Sequence, residues 1–546
     1  MSIDQAFAAQ RLWEQAEQRL SAGQLDAARS AFEAVLALQP GHAGARLRLV
    51  TIATAQGRYR DSIVDLLELA ASAQSDAELL PMLAGSLHRL GESAAARACL
   101  ARPALAAARD RALLEEGART ALQLEDLPVA SRLVQAAERH GGAGAESCYL
   151  KATIALFEGR IDTSEQLLEA SVAAAPRYAR AHWSLARLRT QTSARNHVAR
   201  LRARLAQAGG PGERAYLGFA LFKELDDLDD RDGAWAALIA GCENKRSALA
   251  ANPATRQVPD EAAAFDALAS LWTPGARAID PRPEAFAATT PVPIFIVGMP
   301  RTGTTLLERI LARTGGVTDA GELDDLPLQL RWLADRFSRS FADADLFLAA
   351  RAVADPALLR RRYLAHAAWR GDGRPWFTDK LPMNFLNIGF IAEALPEAPI
   401  LHMVRNPMDT CFSNLKELFA EAYPYSYAFD TLAAHYGRYR RLMSHWHRCF
   451  PGRILDVPYE GLVSDTAAWT ERIRAHCGID AVTGQQRADA NDVGAGARAA
   501  GGVVTTASTV QVREPIHTRS IQAWRRYAAP LEPLRLRLQD DGWLPG

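Results

Sequence analysis

The chain opens on an amphipathic pattern, MSIDQAFAAQRLWEQAEQRL, and helix-type patterning rich in Ala, Leu, Arg and Glu fills its N-terminal half. Gly23, Gly57, Gly91 and Gly159 punctuate that half in steps of 34 residues. The missing member of the series falls at Glu125, in the equivalent setting LQLEDLPVA. Counting from Gly23, Ala28, Phe32 and Pro40 take the places of a small residue, an aromatic and a helix breaker. The same offsets give Ala96 and Leu100 after Gly91, and Leu168 and Pro176 after Gly159. The pattern predicts helix pairs: the glycine ends the first helix and turns the chain, the small residue lets the two helices approach, and the proline stops the second. A sixth, degenerate unit begins near Ala179, and residues 214–225 and 233–248 read as a further pair that closes the stack. Beyond residue 290 the pattern changes. Strand-like runs at 294–297, 376–378, 400–404 and 454–457 alternate with helical stretches, which implies a parallel sheet covered on both faces.

A 34-residue period is that of tetratricopeptide repeats (TPR), which stack into a solenoid with a concave surface for extended peptides. An irregular helical bundle with chance glycine spacing is the bland alternative, and a dimerisation arm or rigid spacer is the competing role. Between about 249 and 292 stand six prolines (Pro253, Pro259, Pro274, Pro281, Pro283 and Pro291), the mark of a linker with one short helix at 260–272. The reading is multidomain. An all-α TPR-like solenoid occupies 1–248, a linker 249–290, and an α/β P-loop-like domain with a central parallel sheet 291–546.

Composition narrows the class. A chain of 546 residues exceeds one ordinary core. Its formal net charge of zero supplies no bulk field for nucleic acid or an anionic membrane. Cys99, Cys148, Cys242, Cys411, Cys449 and Cys477 are scattered and form no CxxC pair, which argues against structural zinc and a disulfide framework. The N-terminus lacks a basic segment followed by an apolar one, and no apolar run approaches the ~20 residues that span a bilayer. A cytoplasmic protein with neither nucleic-acid nor membrane partner is expected, and a homo-oligomer is left open.

The richest chemical signal is PIFIVGMPRTGTTLLERI, residues 293–310. Strand, glycine loop and helix start form the geometry that cradles a phosphate, because glycines turn backbone N–H groups toward the anion and the helix N-terminus adds partial positive charge. The spacing mimics a Walker A loop, but Thr304 stands where the lysine belongs. That replacement argues for a nucleotide phosphate held without a P-loop lysine on a γ-phosphate. A second anion site is suggested where the run at 400–404 ends in HMVRNPMDTCFSNLKELF. Arg405 and Ser413 offer a guanidinium fork and a hydroxyl to a monoester phosphate, although Arg405 could equally pair a carboxylate such as Asp409.

Together the two motifs, GxPRTGTT and VRNPxDxxxS about a hundred residues later, resemble the sulfotransferases that use 3'-phosphoadenylyl sulfate (PAPS). The resemblance spans roughly 293–527. It is closest to the bacterial branch with a TPR array ahead of the sulfotransferase domain and to the tyrosylprotein sulfotransferases. It implies that Arg301, Thr302, Gly303, Thr304 and Thr305 hold the 5' side of PAPS, and that Arg405 and Ser413 hold the 3'-phosphate. The stretch TASTVQVREPIHTRSIQAWRRY looks like the branch's C-terminal nucleotide segment, with Ser508, Gln511 and Arg519 as candidate contacts. The tyrosylprotein enzymes carry a lysine just before its proline; here Glu514 stands there, with Arg513 beside it.

Transfer to a neutral hydroxyl needs a general base and a cation for the leaving oxygen. In GGVTDAGELDDLPL, Glu322 matches the family's GE pattern and is the candidate base; the alternative is a helix-start carboxylate among Asp319, Asp324 and Asp325. Lys380 stands just past a strand end in RPWFTDKLPMNF, on the ligand edge; the resemblance implies that it helps neutralise the leaving group, and Arg301 is the other candidate for charge stabilisation. Lys380 could instead pair Asp379, and Arg301 could instead support the loop. His402 reads as structural and His517 as a reserve base. His445 and His447 form an H-x-H pattern without a third ligand at suitable spacing, so no metal is assigned. The Gly/Ala-rich stretch 491–504 reads as a flap or as an insertion without function. The leading expectation is a PAPS-dependent sulfotransferase acting on a protein or peptide tyrosine held by the TPR-like groove. Competing readings are the same reaction on a small molecule or carbohydrate, a P-loop kinase or NTPase, and a non-catalytic TPR scaffold.

Overall fold

The computed structural model describes residues 3–73, 75–252, 259–275, 291–419, 421–479 and 518–544. Ser508, Gln511, Arg513, Glu514, His517 and the stretch 491–504 lie outside them. Packing gathers the chain into two compact units. One takes Met1–Ile154 with Leu328–Ser338 and Ala352–Ala354; the other takes Ala155–Pro327, Arg339–Arg351 and Asp355–Gly546.

The first unit is built of helix pairs: Ile3–Ser21 with Leu25–Leu38, Ala43–Ala55 with Tyr59–Ser72, Leu80–Arg89 with Ser93–Leu100, and Arg111–Gln123 with Leu127–Gly141. Each pair turns on one left-handed residue. Gly23, Gly57 and Gly91 have φ of 74°, 86° and 91°, and Glu125 has φ of 57° in the place of the missing glycine. In every case the next N–H bonds the carbonyl five residues back: Gln24 to Arg19, Arg58 to Ala53, Glu92 to Leu87 and Asp126 to Ala121. This is the Schellman closure of a helix C-terminus. The same turn recurs in the second unit at Gly159, where Arg160 bonds Ala155. Ala28, Phe32, Ala96 and Leu100 are fully buried, as their repeat positions require. The largest core of this unit runs through Tyr59, Leu66, Leu83, Leu100, Leu114 and Leu133, and Trp332 and Phe337 pack against it. The Arg60 side chain secures their segment by donating to the carbonyls of Trp332 (3.0 Å) and Leu333 (2.9 Å).

The second unit holds a five-stranded parallel sheet: β1 Val292–Gly298, β2 Val317–Thr318, β3 Trp376–Asp379, β4 Ile400–Val404 and β5 Ile454–Pro458, in the order β2-β3-β1-β4-β5. Four strands fall on the expected runs. β2 is additional, and two residues after Gly315 and Gly316 are too short to show alternation. On one face Ile294 and Ile296 pack with Leu307, Ile310, Leu311, Leu401 and Met403. On the other, Phe295 meets Tyr363, ring centroids 5.8 Å apart. The chain fills the β2-β3 side of β1 first and then crosses to β4, so the switch point lies between β1 and β4. Open α/β sheets bind ligands at the carboxyl ends of strands there.

The expected closing pair appears as the helices Pro211–Asp227 and Arg231–Ala251. These belong with the sheet by packing: Phe219 meets Tyr427 edge-on, and the Tyr527 hydroxyl donates to Asp226 at 2.8 Å. The change of sequence pattern near residue 248 and the seam in packing at residue 154 are therefore different boundaries.

Candidate active site

The phosphate-loop candidate leaves β1 hard against β4. A Cβ on Gly298, whose φ is 148°, would stand 2.7 Å from the Met403 carbonyl oxygen. Arg301 takes the left-handed region at φ 67°. Gly303 follows at φ 109°, where a Cβ would lie 2.6 Å from the Tyr459 ring. The helix Thr304–Arg313 then starts with no side chain bonded at its cap. Its first-turn N–H groups have no intrahelical acceptors and carry the positive end of the dipole, which suits an anion. Two hydrogen bonds brace the loop: Thr302 Oγ1 donates to the Met299 carbonyl at 2.7 Å, and Asn414 Nδ2 donates to the Pro300 carbonyl at 2.8 Å. Asn414 comes from the helix Pro407–Leu415 after β4, so the two candidate phosphate motifs are physically joined.

Arg405 leaves the end of β4 and lies across this junction. Its Nη1 donates to the Arg301 carbonyl at 3.1 Å and toward Ser413 Oγ at 3.4 Å, and its Nη2 donates to the Ser520 carbonyl. The guanidinium stacks 4.7 Å from the centre of the Tyr459 ring. Its Nε is buried with no acceptor among the described residues. Asp409 is not its partner; that carboxylate accepts the backbone N–H groups of Gln522 (2.6 Å) and Trp524 (3.1 Å). Arg519 directly precedes Ser520, so the described start of the C-terminal segment also reaches this site. Lys416 sits above the Phe412 ring, and burial pulls its pKa down, with Asp226 opposing and Arg301 and Arg405 adding to the shift.

Lys380 follows β3 on the same sheet edge and is fully buried. Its Nζ donates to Glu322 Oε1 at 2.8 Å and stands 3.8 Å from Glu308 Oε2. Its backbone N–H bonds the Gly321 carbonyl at 3.0 Å, which fixes the turn that carries Glu322. Burial favours the neutral amine, but Glu322 and Glu308 outweigh it and raise the Lys380 pKa above the usual value. Asp379 is engaged elsewhere, accepting from the Tyr363 hydroxyl (2.9 Å) and from Asn384 Nδ2 (3.0 Å). The Glu322 side chain is 45% exposed, the one member of the trio open to solvent. Glu308 lies behind it, with Oε1 accepting from the Thr378 hydroxyl at 2.8 Å and from the Gly321 N–H at 3.1 Å. Burial pushes Glu308 up to about 8, with Lys380 opposing and Asp319 adding. Arg301 Nε stands 3.6 Å from Glu417, and Glu417 and Glu322 both favour the charge that burial disfavours.

Of the sequence candidates, Arg301, Thr302, Gly303, Thr304, Thr305, Arg405 and Ser413 thus meet around the loop, while Lys380 and Glu322 form an ion pair beyond β3. His402 is buried between Asp456 and Tyr439 on the sheet. Sequence reasoning passed over Glu308, Glu417 and Tyr459. Glu308 did carry a signal: a carboxylate on the buried face of a helix, flanked by Leu307, Ile310 and Leu311. Glu417 and Tyr459 carried none, because their partners lie far away in sequence.

Residues 293–483 match the sulfotransferase family, and residues 19–84 match the tetratricopeptide repeat. The chain carries a sulfotransferase-family domain after tetratricopeptide repeats. A protein of Aquifex aeolicus (strain VF5), itself described only as uncharacterized, is 29% identical over 336 residues, 60% of this chain and 42% of the relative. The chain therefore spans about two fifths of that relative's length. Among solved structures, the sulfotransferase domain of the Synechococcus PCC 7002 olefin synthase is 21% identical with a TM-score of 0.30, covering 48% of this chain and 98% of that one. A tetratricopeptide repeat protein from Parabacteroides merdae ATCC 43184 is 15% identical with a TM-score of 0.32, covering 43% and 91%. At these scores neither likeness bears on the chemistry of the sulfotransferase-family site. Among the described residues no helix is long and apolar enough to cross a membrane.

Proposed function

We propose that the sulfotransferase-family domain transfers a sulfuryl group from PAPS to a hydroxyl acceptor, with Glu322 as general base and a protein or peptide tyrosine as acceptor. The observation that carries this reading is the Lys380–Glu322 pair at 2.8 Å on the sheet edge that also bears the phosphate loop and Arg405. PAPS is the co-substrate. Its 5' side fits the loop from Arg301 to Thr305, and its 3'-phosphate fits the buried Nε of Arg405 and the Ser413 hydroxyl. The acceptor oxygen attacks sulfur, the bond from sulfur to the bridging phosphate oxygen breaks, and the acceptor proton passes to Glu322. Lys380 and Arg301 offset the charge that develops on the leaving oxygen. A carboxylate takes a proton more readily from a phenol, with pKa about 10, than from an alkyl alcohol, which favours tyrosine. The repeats would present the acceptor peptide, the transfer needs no metal, and the protein would work in the cytoplasm.

Calorimetric titration with adenosine 3',5'-bisphosphate, ATP and ADP tests the donor assignment. The bisphosphate should bind most tightly. Arg405→Ala should weaken it by at least about 30-fold, as expected when one partner of a buried charged contact is removed. Equal or better binding of ATP would return the loop to the kinase and NTPase class. For the base, Glu322→Gln should leave bisphosphate affinity unchanged and lower transfer from labelled PAPS to a tyrosine peptide by about 100-fold or more. A variant that transfers as fast as wild type would remove Glu322 from the mechanism.

A further inference from the structure

His402 on β4 lies opposite Asp456 on β5, its partner in the strand register. His447 arrives from the last turn of the helix Phe429–Cys449. Nδ1 of His402 and Nε2 of His447 stand 2.7 Å and 2.9 Å from the same oxygen, Oδ1 of Asp456, and one donor atom from each residue lies within 4.8 Å of the other two. We propose that His402, His447 and Asp456 bind a divalent transition-metal ion of the zinc type, at a site separate from the Lys380–Glu322 pair.

Two imidazoles and one carboxylate are a donor set for zinc, cobalt or nickel, with a position left for water. Magnesium and calcium prefer oxygen ligands and are disfavoured. The three ligands come from two paired strands and a helix, so little order has to be gained on binding. His402 is buried, and its second ring nitrogen is bonded to the Tyr439 hydroxyl. A partner on the non-ligating nitrogen is what fixes the orientation of a metal-binding histidine. The His447 and Asp456 side chains are 36% and 51% exposed, which gives an ion an entry path and room for a water ligand. Ligand atoms about 2.0–2.2 Å from a tetrahedral ion lie roughly 3.3 Å from one another. Asp456 therefore has to withdraw slightly, and His447 has to close on His402 across a gap of up to 4.8 Å; the exposure of the His447 and Asp456 side chains permits both. Any proton now shared between a histidine and Asp456 leaves to solvent as the ion enters. Arg440, whose charge is felt at His402, is engaged by the Tyr436 hydroxyl at 3.1 Å.

The H-x-H pattern concealed this arrangement. His445 contributes nothing to it, since its Nε2 lies 3.2 Å from Cys449 Sγ. The partners of His447 come from β4 and β5.

The test uses the full-length protein after chelator treatment. Zinc is titrated calorimetrically, and cobalt is followed by its visible absorption. Wild type should bind one saturating equivalent of zinc at this site and show the intense visible band of tetrahedral cobalt. His447→Ala should weaken that binding by at least about tenfold and remove the band. His447→Cys should retain binding and add thiolate absorption, a rescue that a merely structural histidine would not give. Thermal melting of each variant confirms folding. Absence of the cobalt band in wild type, or equal zinc affinity in wild type and His447→Ala, would overturn the proposal.

Discussion

A fully buried ammonium persists only with negative charge beside it; for Lys380 this is Glu322 at 2.8 Å, with the Glu308 carboxyl group behind at 3.8 Å. The two carboxylates differ in what surrounds them. Glu322 reaches solvent, whereas Glu308 is pushed up to about 8. This shift gives stability a pH dependence with a definite sign. Between the ordinary glutamate value of 4.5 and about 8, the folded protein keeps a proton that the unfolded chain has lost. The contribution is complete below that window and is lost as pH rises through it. Glu308→Gln keeps an acceptor for Thr378 and Gly321 but cannot ionise. Urea midpoints taken across the window should therefore fall less steeply with pH in the variant, by up to ~1.4 kcal/mol per pH unit. Parallel slopes would mean that Glu308 is ionised in the fold. At this scale the sequence showed the residues that belong to contiguous motifs. It did not show that Lys380 would choose Glu322 over its neighbour Asp379, because that depends on Tyr363 and Asn384 reaching Asp379 first.

The helix pairs were legible because their turn needs one unusual residue at a fixed place. Glu125 keeps the turn without the glycine, at φ 57°, and the Asp126 N–H still closes onto Ala121 at 2.8 Å. A side chain in that region costs about 1 kcal/mol that glycine does not incur. Glu125→Gly should accordingly raise the urea midpoint of the full-length protein by an amount equivalent to about 1 kcal/mol. A lower midpoint would mean that contacts of the Glu125 side chain outweigh the strain. In the sheet, β1, β3, β4 and β5 announced themselves as apolar runs, while β2 is too short to carry a period and exists because it pairs with β3. The order of the strands was not readable from pattern, since it is decided by which long crossover covers which face.

At the scale of the whole molecule, pattern and packing part company. The repeat-like grammar runs to about residue 248, yet the described residues from Ala155 onward belong with the sheet, apart from Leu328–Ser338 and Ala352–Ala354. Those two segments could not be anticipated, because the contacts that hold them are long-range. A chain cut to residues 155–546 would leave Trp332 and Phe337 without the core they cover. It should bind a hydrophobic dye and aggregate on warming where the full chain does not. A monodisperse fragment with no dye binding would show that these side chains find cover on their own.

The excursion at Leu328–Ser338 also sets an order in time. As the chain leaves the ribosome, the first helix pairs emerge early, but the surface that takes Trp332 stays bare until residue 338 has been made. At roughly 5–20 residues per second, synthesis from residue 155 to 338 takes roughly ten to forty seconds. Through that interval the newborn repeats present an unfinished apolar surface, and a chaperone that reads such surfaces has its opening there.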